Sequence, residues 1–371
     1  MNIIFDDLYN PLKKKQLQIL DINGEIINEK LEPKISNDQL LDMYKKMVLT
    51  RIADVKAVQY QQYPYPETRM LNYIVNKGHE ACQIGTGAAL QKQDWISPYF
   101  RDLGLYLSRN VDLEQIYLYW YGHEKGSQLD PAKRILPVNI IIGSGINIGA
   151  GLAIASKIQS KNEVTIATIG DGGTSHEEFY SGLNLAASMD APLVVLIQNN
   201  QYAISTPRQK ATKAETLAQK AYAFGIPGIQ VDGNDVLAVY TAVKEFTDAA
   251  RQGKGTGLIE MITYRMGAHS TNDDPNLYRS KEEAQEWETK DPIKRFQKYL
   301  LNKKVLNPEL ITQIEQNTID YVNSLHKKIL TYGVKIEIKE LFEYVYKDMT
   351  QQLKEQYLDY ETFLKYQKEG K

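Results

Sequence analysis

The chain has 371 residues, 43% of them hydrophobic and 24% charged, which suits one large α/β domain with appendages or two small domains. Lysine and arginine number 44 against 46 aspartate and glutamate, and a net charge of −2 excludes the basic signature of a nucleic-acid or anionic-membrane binder. The single cysteine, Cys82, excludes an intramolecular disulfide and fits a reducing compartment.

The start, Met1 to Asp7, is acidic and lacks the basic start and apolar core of a signal peptide. No apolar run reaches the ~18 residues of a membrane span, so a cytoplasmic protein is expected. Residues 1–36 read as an N-terminal arm. Within it Lys13 to Lys15 is a solvated charge run, and Gln18 to Ile27 suggests a small hairpin turning on Asn23-Gly24. Ser36 can cap a helix from Asp38 to about Gln62, along which Leu40, Leu41, Tyr44, Met47 and Val48 recur at helical spacing. Tyr63-Pro64-Tyr65-Pro66 is a loop. Gly78-His79-Glu80 then opens the helix that carries Cys82, a small buried residue, and His79 reads as a helix-cap histidine.

Trp95 to Asp102 contains Arg101, either a bidentate phosphate clamp or a surface partner of Asp102. Tyr121 to Leu136 is a polar loop bearing His123 and Lys125. Asn139 to Gly149 reads as strand, glycine turn and helix. One reading is a nicotinamide-dinucleotide turn, with Asp171 as the ribose acid; it leaves Asn199-Asn200 without a role. The other is close helix packing: Gly145, Gly149 and Ala153 form a small-residue stripe at four-residue spacing, where another helix can come near.

The most informative stretch is Gly170-Asp171-Gly172-Gly173 through Asn199-Asn200. Val164 to Ile169 is a β-branched run that reads as a buried strand. Ser175 and Glu178 have capping-box spacing, so a helix to about Ser188 is expected. Leu193 to Ile197 is a second buried strand, which makes a βαβ unit with parallel strands. Asp171 and Asn199-Asn200 therefore meet at one sheet edge. A carboxylate and an amide carbonyl are hard oxygen ligands of the kind Mg²⁺ takes, with positions left for phosphate oxygens. Gly170, Gly172 and Gly173 let backbone approach an anion, which a helix N-terminus also favours. The implied chemistry is a metal-bridged diphosphate.

Ala214 to Phe224 reads as helix ending at Gly225, Ile229 to Asp232 as strand, and Asn234 or Asp235 as the cap of a helix to Arg251. Gly257 to Tyr264 is a further buried strand, which delivers His269 to the edge that holds Asp171 and Asn200. Ligands of open α/β sheets bind there. Ser270 to Tyr278 is a loop. Glu282 to Leu301 and Pro308 to Leu330 are helical and charged, and His176 and His326 read as structural. In the tail, Leu341, Tyr344, Val345, Met349, Leu353 and Tyr357 form a helical stripe that should dock on this chain or on a partner.

The segment Gly170 to Thr206 resembles the thiamin-diphosphate motif. With Leu217 to Val236 and Asp273 to Phe296, and more weakly over nearly the whole chain, it is similar to the alpha subunit of the thiamin-dependent 2-oxo acid dehydrogenase component, pyruvate dehydrogenase type of Gram-positive bacteria. The resemblance implies thiamin diphosphate and Mg²⁺, held by Asp171, Asn200 and the Tyr202 carbonyl. It implies cofactor contacts from Arg101, Ile140, Ile142, Gly172, Gly173, Ala203 and His269, and puts Ile204 beneath the cofactor as an apolar wedge, although Ile204 could equally be plain core. A tyrosine is usual where this chain has Phe100, so its hydroxyl contact is lost or supplied by Tyr99. The resemblance also brings His79 near the active-site entrance, makes His269 the catalytic candidate, and aligns Ser270 with a regulatory serine of mitochondrial relatives. Gram-positive relatives often carry a histidine near position 125, and this chain departs from them with Lys125 there and His123 two residues before it.

The fold expected is α/β, a mainly parallel sheet with helices on both faces: residues 1–36 as arm, 37–300 as the cofactor-binding domain, 301–371 as a helical extension. The activity implied is oxidative decarboxylation of pyruvate with acyl transfer to a lipoyl domain of an acyltransferase component. The glutamate needed beside the aminopyrimidine is expected on a separate beta subunit, in an assembly of two alpha and two beta chains. A branched-chain 2-oxo acid or acetoin dehydrogenase alpha subunit, a non-catalytic regulatory subunit and a nicotinamide-dinucleotide oxidoreductase are the competing readings.

Overall fold

A computed structural model of the chain describes residues 3–62, 69–332 and 338–369; the Tyr63 to Pro66 loop lies outside the described residues. Its centre is a six-stranded sheet in which every pairing is parallel. In chain order the strands are β1 (Gln16–Leu17), β2 (Trp95–Ser97), β3 (Thr165–Gly170), β4 (Leu193–Asn199), β7 (Gly228–Asp232) and β8 (Gly257–Ile262), arranged β1-β7-β8-β4-β3-β2. The two remaining strands, β5 (Tyr202–Ala203) and β6 (Thr206–Pro207), form a separate antiparallel pair beyond the sheet.

The β-branched runs are buried because helices cover both sheet faces. Side chains alternate along a strand, so Leu193, Val195 and Ile197 of β4 join one core while Val194 and Leu196 join the other. The first core is closed by α5 (Ser144–Ile158) and α6 (Glu177–Ser188). The second is closed by α1 (Asn37–Gln61), α2 (Glu80–Ala89) and α8 (Val236–Ala249). Helix α1 starts where its cap residues put it: Ser36 Oγ accepts from Gln39 N at 3.2 Å, and Gln39 Oε1 accepts from Ser36 N at 3.1 Å.

The arm is built into the sheet. β1 supplies an edge strand against β7, and the buried Asp235 carboxylate accepts from the backbone N–H of Ile19 (2.7 Å) and Leu20 (2.6 Å) while capping α8 through Leu237 and Ala238. The Asn23-Gly24 turn is present, but its hairpin is reduced to one antiparallel bridge, Leu20 with Ile26.

Three expectations need correction. Asn139 to Ile142 is not a strand: Ile140, Ile141 and Ile142 are exposed, and only α5 follows. The stripe on α5 does not await another helix, because Gly149 faces β3 of its own sheet; a Cβ there would sit 2.8 Å from the Cβ of Ala167. Residues 214–217 are not helical, and Ala218–Phe224 is a 3-10 turn, capped by Gly225 at φ 67°.

Between the sheet elements run α3 (Leu103–Ser108), α4 (Leu113–Trp120) and the single turn α7 (Arg208–Ala211). After the sheet come α9 (Lys281–Glu288), α10 (Pro292–Asn302) and α11 (Pro308–Tyr332). Val322, Leu325 and Ile329 of α11 enter the core of α1. The tail forms α12 (Glu340–Glu343) and α13 (Gln351–Glu369), where Phe342 meets Tyr357 edge to face and Tyr344, Val345, Leu358 and Phe363 remain exposed.

The packing of α5 gives a direct test. Gly149→Ala should lower stability by about 1–3 kcal/mol, because Ala167 must move. Gly151→Ala, whose Cβ meets nothing within 4 Å, should raise it by up to about 1 kcal/mol through helix propensity. Denaturant unfolding of both variants checks the contrast; equal effects would contradict the packing described.

Candidate active site

Register puts the site where it is. β3 and β4 pair up to Gly170 with Gln198, and β4 and β8 up to Asn199 with Ile262. The residues that follow, Asp171, Asn200 and the segment to His269, all leave the sheet at its carboxyl edge. They surround a cleft of ≈ 170 Å³.

Asp171 is 3% exposed, and its Oδ2 has no hydrogen-bond partner among the described residues. Burial pushes its pKa up to about 6, although the Asn200 main chain, Arg265 and Arg101 favour the charged form. A buried carboxylate oxygen without a partner is costly unless a cation meets it. Asn200 is equally buried; its Oδ1 accepts from Tyr202 N at 3.3 Å. Tyr202 also borders the cleft, and its carbonyl takes a 3.3 Å bond from Arg265 Nη1. These three oxygen donors match the chemistry of a hard divalent cation.

The turn after Asp171 differs from expectation. Gly172–Ser175 is a 3-10 turn, and α6 begins only at Glu177, capped by His176 without a side-chain bond. Ser175 forms no capping box; its Oγ donates to Ala211 O at 3.4 Å. Gly172 and Gly173 line the cleft, but their missing side chains serve this chain's own packing. A Cβ on Gly172 would fall 2.4 Å from the Ala203 Cβ, and one on Gly173 would fall 2.5 Å from Ile169 Cγ1.

Arg101 is not a surface partner of Asp102. It is buried, and its guanidinium donates to Val75 O, to His269 O at 3.2 Å and to His269 Nδ1 at 3.2 Å. Asp102 is instead satisfied by Tyr99 N, Thr168 and Gln198 Nε2. Desolvation lowers the Arg101 pKa to about 10. Phe100 brings a ring rather than a hydroxyl, edge-on to His269 at 6.2 Å. The Tyr99 hydroxyl, on the same wall, is buried without a partner among the described residues.

His269 is held by its neighbours in one tautomer. Arg101 Nη2 at 3.2 Å and Arg265 Nη1 at 3.5 Å can only donate, so Nδ1 accepts and the proton sits on Nε2. Burial lowers its pKa to about 4, helped by the two arginines and opposed by Asp273. Arg265 carries a role that the sequence did not disclose. Fully buried, it donates to Ile204 O at 2.8 Å and to Tyr278 Oη at 2.7 Å, while Tyr278 Oη and His269 N both donate to Asp273 Oδ2 at 2.6 Å.

Ile204 is neither core nor relaxed. It is 54% exposed on the cleft wall, and its φ of 54° is a left-handed conformation that β-branched side chains avoid. Of the remaining expected residues, Ala203 and Ile142 border the cleft and Ile140 does not. His176, read as structural, lies on the cleft wall. His79 lies behind the cleft, fully buried, and bonds Asn200. Desolvation, then Arg101, holds its pKa well below the usual histidine range.

Residues 44–334 match the family described as the dehydrogenase E1 component. The chain is 55% identical over 345 residues to a pyruvate dehydrogenase E1 component subunit alpha of Acholeplasma laidlawii, covering 93% of this chain and 99% of the relative. It is 44% identical over 347 residues to the protein of the same description from Staphylococcus aureus, covering 93% and 92%. The Staphylococcus epidermidis counterpart is 40% identical over 346 residues, with the same coverage.

The strain at Ile204 can be measured. In Ile204→Gly, stability of the unliganded chain should hold or rise by about 1 kcal/mol as the left-handed penalty is relieved. A loss of more than about 1 kcal/mol in denaturant unfolding would show that the backbone there is unstrained.

Proposed function

This chain belongs to the dehydrogenase E1 component family, and on that premise we propose that it is the alpha subunit of a pyruvate dehydrogenase. With a beta subunit it decarboxylates pyruvate oxidatively and passes the acyl group to the lipoyl domain of an acyltransferase component. The observation that carries the reading is the buried Asp171 carboxylate, whose Oδ2 has no partner among the described residues, set beside Asn200 at the carboxyl edge of β3 and β4.

The family uses thiamin diphosphate, which when bound supplies the nucleophilic carbon that takes up the 2-oxo acid and holds the electrons left by CO₂. In our reading Asp171, Asn200 Oδ1 and the Tyr202 carbonyl would hold Mg²⁺, which would offset the negative charge of the diphosphate. Arg101 lies close enough to His269 to share an anion with it, and the His269 Nε2–H is a donor available to the diphosphate or to charge developing on the substrate. Gly172, Gly173, Ala203, Phe100 and Ile142 line the cleft and would form the remaining contacts, and exposed Ile204 would be the apolar wedge. The Tyr99 hydroxyl can provide the contact that Phe100 lacks. Proton transfer at the far ring of the cofactor wants a carboxylate, and Asp171 is the sole acid among the described residues lining the cleft. The beta subunit supplies the other acid, in an assembly of two alpha and two beta chains. Exposed Ile140, Ile141 and Ile148, on either side of Gly143 in the chain, are apolar surface such a partner would cover. The setting is the cytoplasm; among the described residues no helix is long and apolar enough to cross a membrane.

Asp171→Ala and Asn200→Ala should each abolish Mg²⁺-dependent thiamin-diphosphate binding by the assembled complex while its unfolding transition is retained. Calorimetry reads the affinity, and wild-type binding in either variant would refute the metal assignment. The purified alpha chain alone should neither bind thiamin diphosphate tightly nor turn over pyruvate, and both should appear when the beta chain is added. Full activity from the isolated chain would show that the second carboxylate is here.

A further inference from the structure

Asn200 can act as an oxygen ligand only if its amide faces the cleft the right way round. An amide has two orientations of nearly equal shape, and the wrong one would present N–H groups to a cation. The Tyr202 N–H favours the productive orientation, but at 3.3 Å that bond is long. A second group settles the choice. His79 Nδ1 lies 3.1 Å from the Asn76 carbonyl, which can only accept, so Nδ1 carries the ring proton. The other nitrogen, Nε2, is then an acceptor, and it lies 3.2 Å from Asn200 Nδ2. The amide nitrogen is thereby drawn towards His79, and Oδ1 is turned away from it.

The ring itself is fixed. Asn76 and Lys77 donate their backbone N–H groups to Asp54, at 2.6 and 3.0 Å. Gly78 O accepts from Thr263 Oγ1 at 2.8 Å, and Glu80 is bound by Arg51. His79 has no exposed surface and is absent from the cleft wall, so contact with substrate is not its task. An apolar side chain in its place would leave the Asn200 NH₂ buried without a partner and free to exchange orientation.

We propose that His79 is a positioning residue of the metal site, which sets the orientation of the Asn200 amide through its Nε2 acceptor. The inference rests on Asn200 being a Mg²⁺ ligand. Groups that orient metal ligands from behind typically contribute about 10–100-fold in metal affinity.

The test titrates Mg²⁺ into the alpha–beta complex at fixed thiamin diphosphate, with calorimetric readout, alongside unfolding of each unliganded complex. His79→Leu should raise the Mg²⁺ needed for half-saturation about tenfold or more. His79→Gln, which keeps one acceptor and one donor, should restore it to near the wild-type value. Wild-type Mg²⁺ dependence in H79L, with Asn200→Ala binding lost, overturns the inference and leaves the metal reading intact. Equal weakening in H79L and H79Q also overturns it, because the acceptor would then not matter. If H79L fails to fold, H79Q decides alone: near-wild-type Mg²⁺ dependence supports the inference, and a tenfold loss contradicts it. Wild-type binding by N200A overturns the ligand assignment beneath it.

Discussion

The interaction on which the site depends is one that the protein leaves incomplete: a buried carboxylate, Asp171, with an oxygen that no group among the described residues satisfies. Elsewhere the same sheet satisfies its buried acids fully. Asp235 takes four backbone N–H groups, and Glu260 accepts from Asn199, Gln230 and the Ala218 N–H. Asp171 sits among arginines that favour its charge without contacting the open oxygen, and burial still raises its pKa. That imbalance is what a bound cation would correct, and parallel register is what brings the other oxygens to it.

Around this point the chain spends its own stability on orientation. Arg265 is buried so that one guanidinium can hold the carbonyls of Tyr202 and Ile204, and Ile204 occupies a left-handed backbone conformation to face the cleft. Two arginines fix the His269 tautomer from one side, and Asp273 fixes its backbone from the other. The cleft carries the Arg101 guanidinium and, in His269, an imidazole that burial keeps neutral, which suits an anionic ligand beside an uncharged proton donor.

Much of this was legible in the sequence where a period or a spacing carried it. Val164 to Ile169 and Leu193 to Ile197 read as buried strands because both faces of the sheet are covered, and strand ends fixed the meeting of Asp171, Asn200 and His269. The capping signals at Ser36 and Asp235 were also reliable, since a cap is a local hydrogen bond. Local signals failed where tertiary packing decided. Ser175 and Glu178 have the right spacing, but the chain needed a 3-10 turn to seat Gly172 and Gly173 against Ala203 and Ile169. Ile140 to Ile142 looks like a strand, because an apolar run reads alike whether it is buried in its own sheet or exposed beside a cleft. The contacts of Arg265 to Ile204 and of His79 to Asn200 left no local signal, because each joins residues far apart in the chain; His79 could be read only as a helix cap or a neighbour of the entrance.

The account turns on Asp171 and Asn200 sharing one cation. Manganese, which takes the same oxygen-rich octahedral sites as magnesium, gives an anomalous X-ray signal. Crystals of the alpha–beta complex grown with thiamin diphosphate and Mn²⁺ should show a single anomalous peak at this cleft, about 2.2 Å from both Asp171 Oδ2 and Asn200 Oδ1. A cofactor-bound complex whose manganese lies away from Asp171, or whose Asn200 presents its nitrogen to the metal, would contradict it.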